Sequence, residues 1–504
     1  HTGTAASPEL EDYLTEELLD DLPKSQLRAL AALAAIGPLT ADDLVTVTGD
    51  HDLDVGALVR LPLVDTAAGM IEAHGLWSSA IGFVDDDWLR MATATAAEVL
   101  RAGGATEGSF DLALAGGDRA LAVEILGDLC RRSIHTAADI DLTACVAGLP
   151  AELHTTPEAM LATALSDDSG GWTASRDRLI ATSVALADAG ADDLELVALT
   201  RLGTLGWQAA DLSVADHLFP RVERLAGSGD PHALAVVALG NALLAEMTGD
   251  EAQMWTHIAS FEGLVVPEPL RTMGQRYRAS LDLQYGAPAT AMRRLEALEA
   301  EAPAGLRAEV RVLAMWAAWL AGDVRTARHR ADQLRLYEHG DDALLARSSV
   351  GLLDAWSSVE AGADAVHDAA SRAASARTAG MLVPSLVSSM EAAALLVAAG
   401  DEPAAGALLT EAFGTPGVLG ARALPAALRG LALVWVLVPS WRDELRALEP
   451  GEGPSRALRA ARAMHAAREA APADTSWVDD AATVLADTAL PTTLPAVWVA
   501  ELAA

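Results

Sequence analysis

From about residue 90 onward, apolar residues recur at three- and four-residue spacing in long Ala/Leu/Arg/Glu runs, and β-branched alternation fades out. That period places one apolar stripe on an α-helix, so the pattern predicts an all-α body. Glycine, usually followed by Asp or Ala, separates the runs at Gly171, Gly206, Gly249, Gly286, Gly322, Gly362 and Gly400, with spacings of 35, 43, 37, 36, 40 and 38 residues. A period of this size marks a repeat array whose unit is one helical hairpin. Glycine suits the turn because a helix that stops sharply ends in a residue at positive φ. An Asp after it can accept bonds from the free amides of the next helix. Five residues past three of these glycines stand Ala291, Ala327 and Ala405, small enough for paired helices to approach closely.

The Gly-Asp turn followed by Ala is similar to the tetratricopeptide pattern. Hairpins of that kind cannot bury both faces alone and stack into an α-α superhelix, a solenoid with a curved inner surface. The repeat signal fades near Pro416. The segment 416–504 contains Pro450-Gly451-Glu452-Gly453-Pro454 and a helix-like run from Ser455 to Ala471, and is expected to form irregular helical hairpins that complete the superhelix. The first 90 residues follow a different pattern. Leu10 to Leu22 and Leu27 to Ile36 read as helices, and Pro38-Leu39-Thr40 opens a third, with Thr40 as N-cap of Ala41 to Val47. Leu63-Val64-Asp65, a turn at Thr66 to Gly69 and Met70 to His74 then predict a two-stranded wing, so a winged helix is expected over 1–90 and the helical repeats over 91–415.

Composition narrows the function. Lys and Arg number 35 against 71 Asp and Glu, a net charge of −36, while 51% of residues are apolar and mean hydropathy is +0.24. So apolar a chain is not disordered. So acidic a surface repels nucleic acid, whose binding depends on Lys and Arg displacing counterions. Cys130 and Cys145 are too few and wrongly spaced for a disulfide framework, which points to a reducing, cytoplasmic location. The uncharged stretches fall short of the ~20 residues of a membrane span. The N-terminus, His1-Thr2-Gly3-Thr4, has no signal-peptide character and does not begin with Met, so the chain is expected to be part of a longer protein.

Taken in succession, several loose motifs resemble the regulators of the MalT type, signal-responsive ATPases of the STAND class that usually end in a LuxR-type DNA-binding domain. Tyr13-Leu14 with Leu22-Pro23 matches the first helix pair, and the wing leading to His74-Gly75-Leu76-Trp77 is similar to the family's His-x-Leu-Phe. Ala96 to Leu100, then Ala113 to Asp118 and Ala122, resembles the first sensor hairpin, and Leu149-Pro150 with Pro157 the next junction. The likeness spans roughly residues 8 to 415. It implies a winged-helix arm and a ligand sensor. An inducer bound in the superhelix groove would release autoinhibition, and the ATPase module of the same protein would be a partner. His74 would then face the phosphates of ADP bound to that module. The chain itself has no Gly-x-x-x-x-Gly-Lys-Ser/Thr loop and no recognisable helix-turn-helix after the repeats, so no cofactor is expected in it, and ATP or ADP only with the missing module.

Candidate binding residues follow from the aromatics, 12 Trp against 5 Phe and 4 Tyr. Trp316 and Trp356 each lie six residues before a turn glycine, Trp172 and Trp207 directly after one, and Trp319 lies one turn beyond Trp316. Trp faces stack on sugar rings while the indole N–H remains a donor, so Trp316, Trp319 and Trp356, with Arg276, Tyr277, Arg278 and Arg311 from adjacent repeats, are candidates to line a groove for an oligosaccharide inducer. The bland alternative is that these large residues fill the space between hairpins. The solenoid would then be a scaffold for a protein or peptide partner. Asp50, Asp52 and Asp54 copy the start of a calcium loop, but Val55 replaces its Gly and Leu61 its closing Glu, so no metal is expected. Arg456, Arg459, Arg462 and Arg468 read as a solvated cationic face. No nucleophile elbow or metalloprotease pair is present, and no enzyme activity is assigned.

Overall fold

A computed structural model describes residues 19 and 22–414, apart from 105, 137–139, 167–170, 210, 212, 249, 267–269, 285–286, 303, 322, 338–339 and 357–362. The expected helix Leu10 to Leu22, the segment 416–504 and its arginine helix therefore lie almost wholly outside the described residues; of that first helix Leu19 is buried. The chain divides into two compact units, residues 1–131 with 140–166, and residues 132–139 with 167–504.

In the first unit the helix Lys24–Ile36 precedes Ala41–Thr48, which Thr40 caps by accepting from the Asp43 amide at 3.1 Å. A two-residue turn joins strands Val64–Ala67 and Met70–Ala73, with both Ala68 (φ 52°) and Gly69 (φ 83°) in the left-handed region. Such a turn matches the twist of the flanking strands, at a cost of about 1 kcal/mol for Ala in place of glycine. The expected two-stranded wing is present, and a third strand joins it. Leu39–Thr40 forms a short strand against it, in the order 39–40, 70–73, 64–67, with Leu39 opposite Ile71. The reason is apolar: Leu39 and Ile71 both enter the core with Leu30, Leu44, Leu58 and Trp77. Trp77, fully buried, also donates its indole N–H to the Pro62 carbonyl at 3.0 Å. The helices Asp86–Ala102, Thr106–Ala115 and Arg119–Thr136 follow. Gly116 lets the first two meet, since a Cβ there would lie 2.9 Å from the Arg90 carbonyl. Arg101 ties the first to the third through Asp128 at 2.6 Å and Glu124 at 2.9 Å.

In the second unit every described element is helical. Gly171–Asp188 is followed by six helix pairs: Asp192–Ala209 with Val214–Ala226, Pro231–Thr248 with Glu251–Glu262, Leu270–Gln284 with Pro288–Glu301, Ala304–Leu320 with Val324–Leu334, Gly340–Trp356 with Ala363–Thr378, and Leu382–Ala398 with Glu402–Gly414. Consecutive helices pack on one another, and first helices of successive pairs also touch, as in a tetratricopeptide-like solenoid. The turns explain the repeat. The amides of Asp250, Ala287, Asp323 and Asp401 each donate to a carbonyl five residues back, at 2.7–2.9 Å, the bond that closes a helix around a glycine. The aspartates then cap the next helix, Asp250 accepting from Gln253, Asp323 from Thr326 and Asp401 from Ala404. Ala291, Ala327 and Ala405 are fully buried, as small contact residues should be.

Gly206 departs from the expectation. It lies inside Asp192–Ala209, and its carbonyl accepts the closing bond from the Asp211 amide at 2.9 Å, so the turn falls four residues later. Glycine is needed there for contact instead, because a Cβ would sit 2.7 Å from Val214. Gly190 and Gly380, at φ 71° and 76°, make turns that the period did not mark. The second of these meets the start of the unit: the Trp172 amide donates to the Ala379 carbonyl at 3.0 Å, and Asp192–Ala209 packs against Leu382–Ala398.

Candidate functional site

The predicted residues fall into three local settings. Trp316 and Trp319 share the helix Ala304–Leu320 and pack into one core with Ala291, Leu295, Ala327 and Leu353; Trp319 is 7% exposed and Trp316 partly buried. Trp356 ends its helix, and its side chain is outside the described residues. Arg311, from the same helix as Trp316, donates to Glu299 at 2.7 Å and to the Tyr337 hydroxyl at 3.2 Å, with its guanidinium 5.9 Å from that ring. Glu299 also accepts from Arg330 at 2.7 Å. Burial pushes the Glu299 carboxyl up, but the bonds and charges of Arg311 and Arg330 outweigh it and hold the group below its ordinary range.

Arg276 and Tyr277 sit on Leu270–Gln284 and face different neighbours. Arg276 pairs with Glu309 on the next helix pair, whereas Tyr277 packs on Ala242, Met254, Ile258 and Leu281. Arg278 lies 4.5 Å from the Trp255 ring and pairs with Asp282 at 3.1 Å. Arg311 and Trp316 thus share a helix that Arg276 reaches through Glu309, while Tyr277 packs on the preceding helix pair. Of the other aromatics, Trp172 donates its indole N–H to Asp211 at 3.0 Å. Burial raises the Asp211 carboxyl, but bonds from Ser213, Trp172 and Arg176 more than offset it and leave the group lowered. His74, exposed at the end of the wing, is held through its backbone, its amide donating to Leu63 at 2.9 Å and its carbonyl accepting from Trp77 at 2.9 Å. The aspartates that copy a calcium loop serve the backbone: Asp50 accepts from the Asp52 amide and Asp54 caps Val55–Leu58. Among the described residues no group of three His, Cys, Asp or Glu could hold a metal ion.

The periodicity missed a cleft of about 390 Å³ between Leu270–Gln284 and Pro288–Glu301, lined by Arg271, Gln275, Thr290, Arg293, Arg294 and Glu301. Three arginines and one carboxylate line it, with Glu262 and Asp282 behind Arg294. Arg271 pairs with Glu301, and Arg294 reaches Gln275 at 2.5 Å and Glu262 at 3.0 Å. Arg293 is exposed and bonds the Thr290 hydroxyl at 3.2 Å; among the described residues no carboxylate lies within ion-pairing distance of it. Its signal in the sequence was the Arg293-Arg294 pair facing Arg271 across one turn, legible only once the hairpin is folded.

No protein-family model matches the chain, and neither does any curated protein. Among solved structures it is similar to a Signal Transduction ATPase with Numerous Domains (STAND) protein with a tetratricopeptide repeat sensor from Pyrococcus horikoshii, at 10% identity and a TM-score of 0.45, over 89% of this chain and 68% of that one. No helix among the described residues is long and apolar enough to cross a membrane.

Proposed function

We propose that this chain is the winged-helix and sensor part of a MalT-like STAND protein, and that its repeat solenoid works by holding an acidic segment of a protein partner. The succession of motifs from Tyr13 to Pro157 supports the first half. The arginine cleft carries the second. In a chain of net charge −36, three guanidinium groups line one open hollow, and among the described residues Arg293 bonds only the Thr290 hydroxyl. Guanidinium groups bind carboxylates through charge-assisted, often bidentate bonds. The acidity of the rest of the chain does not forbid this, since at physiological salt charges are screened beyond about 8 Å. The predicted sugar-stacking tryptophans favour the scaffold reading over an oligosaccharide groove, because Trp316 and Trp319 pack against core side chains.

The test is fluorescence anisotropy with a fluorescein-labelled hexaglutamate peptide. Saturable binding that weakens with added salt, and that Arg293→Glu reduces by about tenfold or more, is expected. Absence of saturable binding, or equal binding by the variant, would overturn the cleft as the partner site.

A further inference from the structure

A second hollow, of about 160 Å³, lies between the pairs Asp192–Ala209 with Val214–Ala226 and the helix Pro231–Thr248. Its walls are mostly apolar, with Leu218, Phe219, Leu239, Leu243 and Met273 among them. Its polar groups are few, and most are already engaged. The Thr200 and Thr204 hydroxyls donate to carbonyls of their own helix at 2.7 and 2.9 Å. Asp211, at the edge, accepts from Trp172 Nε1, Arg176 and the Ser213 hydroxyl. Trp207 is the exception. Its Nε1 is buried and finds no acceptor among the described residues. A buried donor left without an acceptor costs about 1–3 kcal/mol, and a native structure that keeps one calls for an explanation.

We infer that this hollow binds a small neutral ligand, a largely apolar ring or short chain bearing one hydrogen-bond acceptor, with that acceptor on Trp207 Nε1. The size fits, since an apolar cavity of about 150 Å³ holds a benzene-sized molecule. The chemistry narrows the class further. The lining contains no cationic side chain for an anion, and its single carboxylate is already bonded by three donors, so neither charge sign is invited. Water is a poor occupant, because it needs two to four polar partners and the side chains offer one free donor. A carbonyl or ether oxygen on an apolar body satisfies the indole and leaves the rest of the wall to hydrophobic contact. The site is separate from the arginine cleft, so either proposal can fail alone.

The experiment uses the full chain labelled with 15N, acetophenone as probe and ethylbenzene as its counterpart without an acceptor. Trp207→Phe identifies the Trp207 indole signal by its disappearance and removes the donor while keeping an aromatic wall. Acetophenone is expected to shift that signal saturably. Trp207→Phe should weaken acetophenone by roughly two- to tenfold and leave ethylbenzene nearly unchanged, the range set by one net hydrogen bond. If the variant does not fold, the two probes on the unaltered chain still decide: a single indole signal should respond far more to the ketone. No saturable shift, equal response to both probes, or unchanged ketone affinity in the variant would each overturn the inference.

Discussion

The two halves of the repeat unit share one backbone plan and are joined by different forces. From Asp192 to Gln284 the helices meet through close approach: Gly203 faces Leu218, Gly206 faces Val214, Gly240 faces the Phe219 ring and Gly274 the Phe261 ring. Ionic contact in this half gathers at two places, the fully buried Glu195, held by Arg221 and Arg224, and Arg278, which pairs with Glu262 and Asp282. From Pro288 to Glu391 close approach recurs at Gly351 against Ala365, but successive helices are also tied by arginines, Arg311 and Arg330 to Glu299, Arg335 to Asp354, Arg347 to Asp368 and Arg372 to Glu391. Helix pairing by contact tolerates no added volume but ignores salt, whereas pairing by charge does the reverse. The arginine cleft lies where the two modes meet, and the neutral pocket lies wholly in the first half.

The largest effect should come from the contact half. Phe261 is 2% exposed, and its ring packs with Leu218, Val222 and Leu270. Phe261→Ala is expected to cost about 3–5 kcal/mol, read as a lower urea midpoint. A loss below about 1 kcal/mol would mean that the half does not depend on that ring. Next in size is Gly274→Ala. A Cβ at Gly274 would stand 2.1 Å from the Phe261 ring, which is too buried to move aside, so about 1–3 kcal/mol should be lost. In the Phe261→Ala background the same change should cost much less, because the obstructing ring is gone. Additive losses in the double variant would show that the glycine matters for some other reason.

What was legible in the sequence was local. Thr40, Asp250, Asp323 and Asp401 announced themselves because a cap needs only a side-chain oxygen and an amide two or three residues on. The wing was legible from its turn, while Leu39–Thr40 was not, since two residues carry no period and join the wing only at Met70 and Ile71. Gly206 misled because glycine serves both as a turn and as a contact, and the sequence does not say which until Val214 is placed beside it. The same limit applies to tryptophan. Trp319 and Trp207 both keep a buried indole N–H with no acceptor among the described residues, yet one enters a core and the other lines a hollow, a difference made by neighbours on other helices.

The smallest effect tests the charged half. Glu299 joins three helices through Arg311 and Arg330 and is 19% exposed, so solvent discounts the 3–5 kcal/mol of a fully buried pair, and Glu299→Gln should cost about 1–2 kcal/mol at neutral pH. The sign of its pH dependence follows from the lowered carboxyl. A group whose pKa falls on folding stabilises the protein above its unfolded value, about 4.3 for Glu, and loses that contribution as pH drops through the folded value. Thermal unfolding of the two proteins should therefore differ at pH 7 and converge below about pH 4. Added salt should narrow the same gap while leaving the deficit of Phe261→Ala in place. A Glu299→Gln deficit that persists unchanged in acid and in salt would show that the second half is held by packing like the first, and the contrast between the halves would disappear.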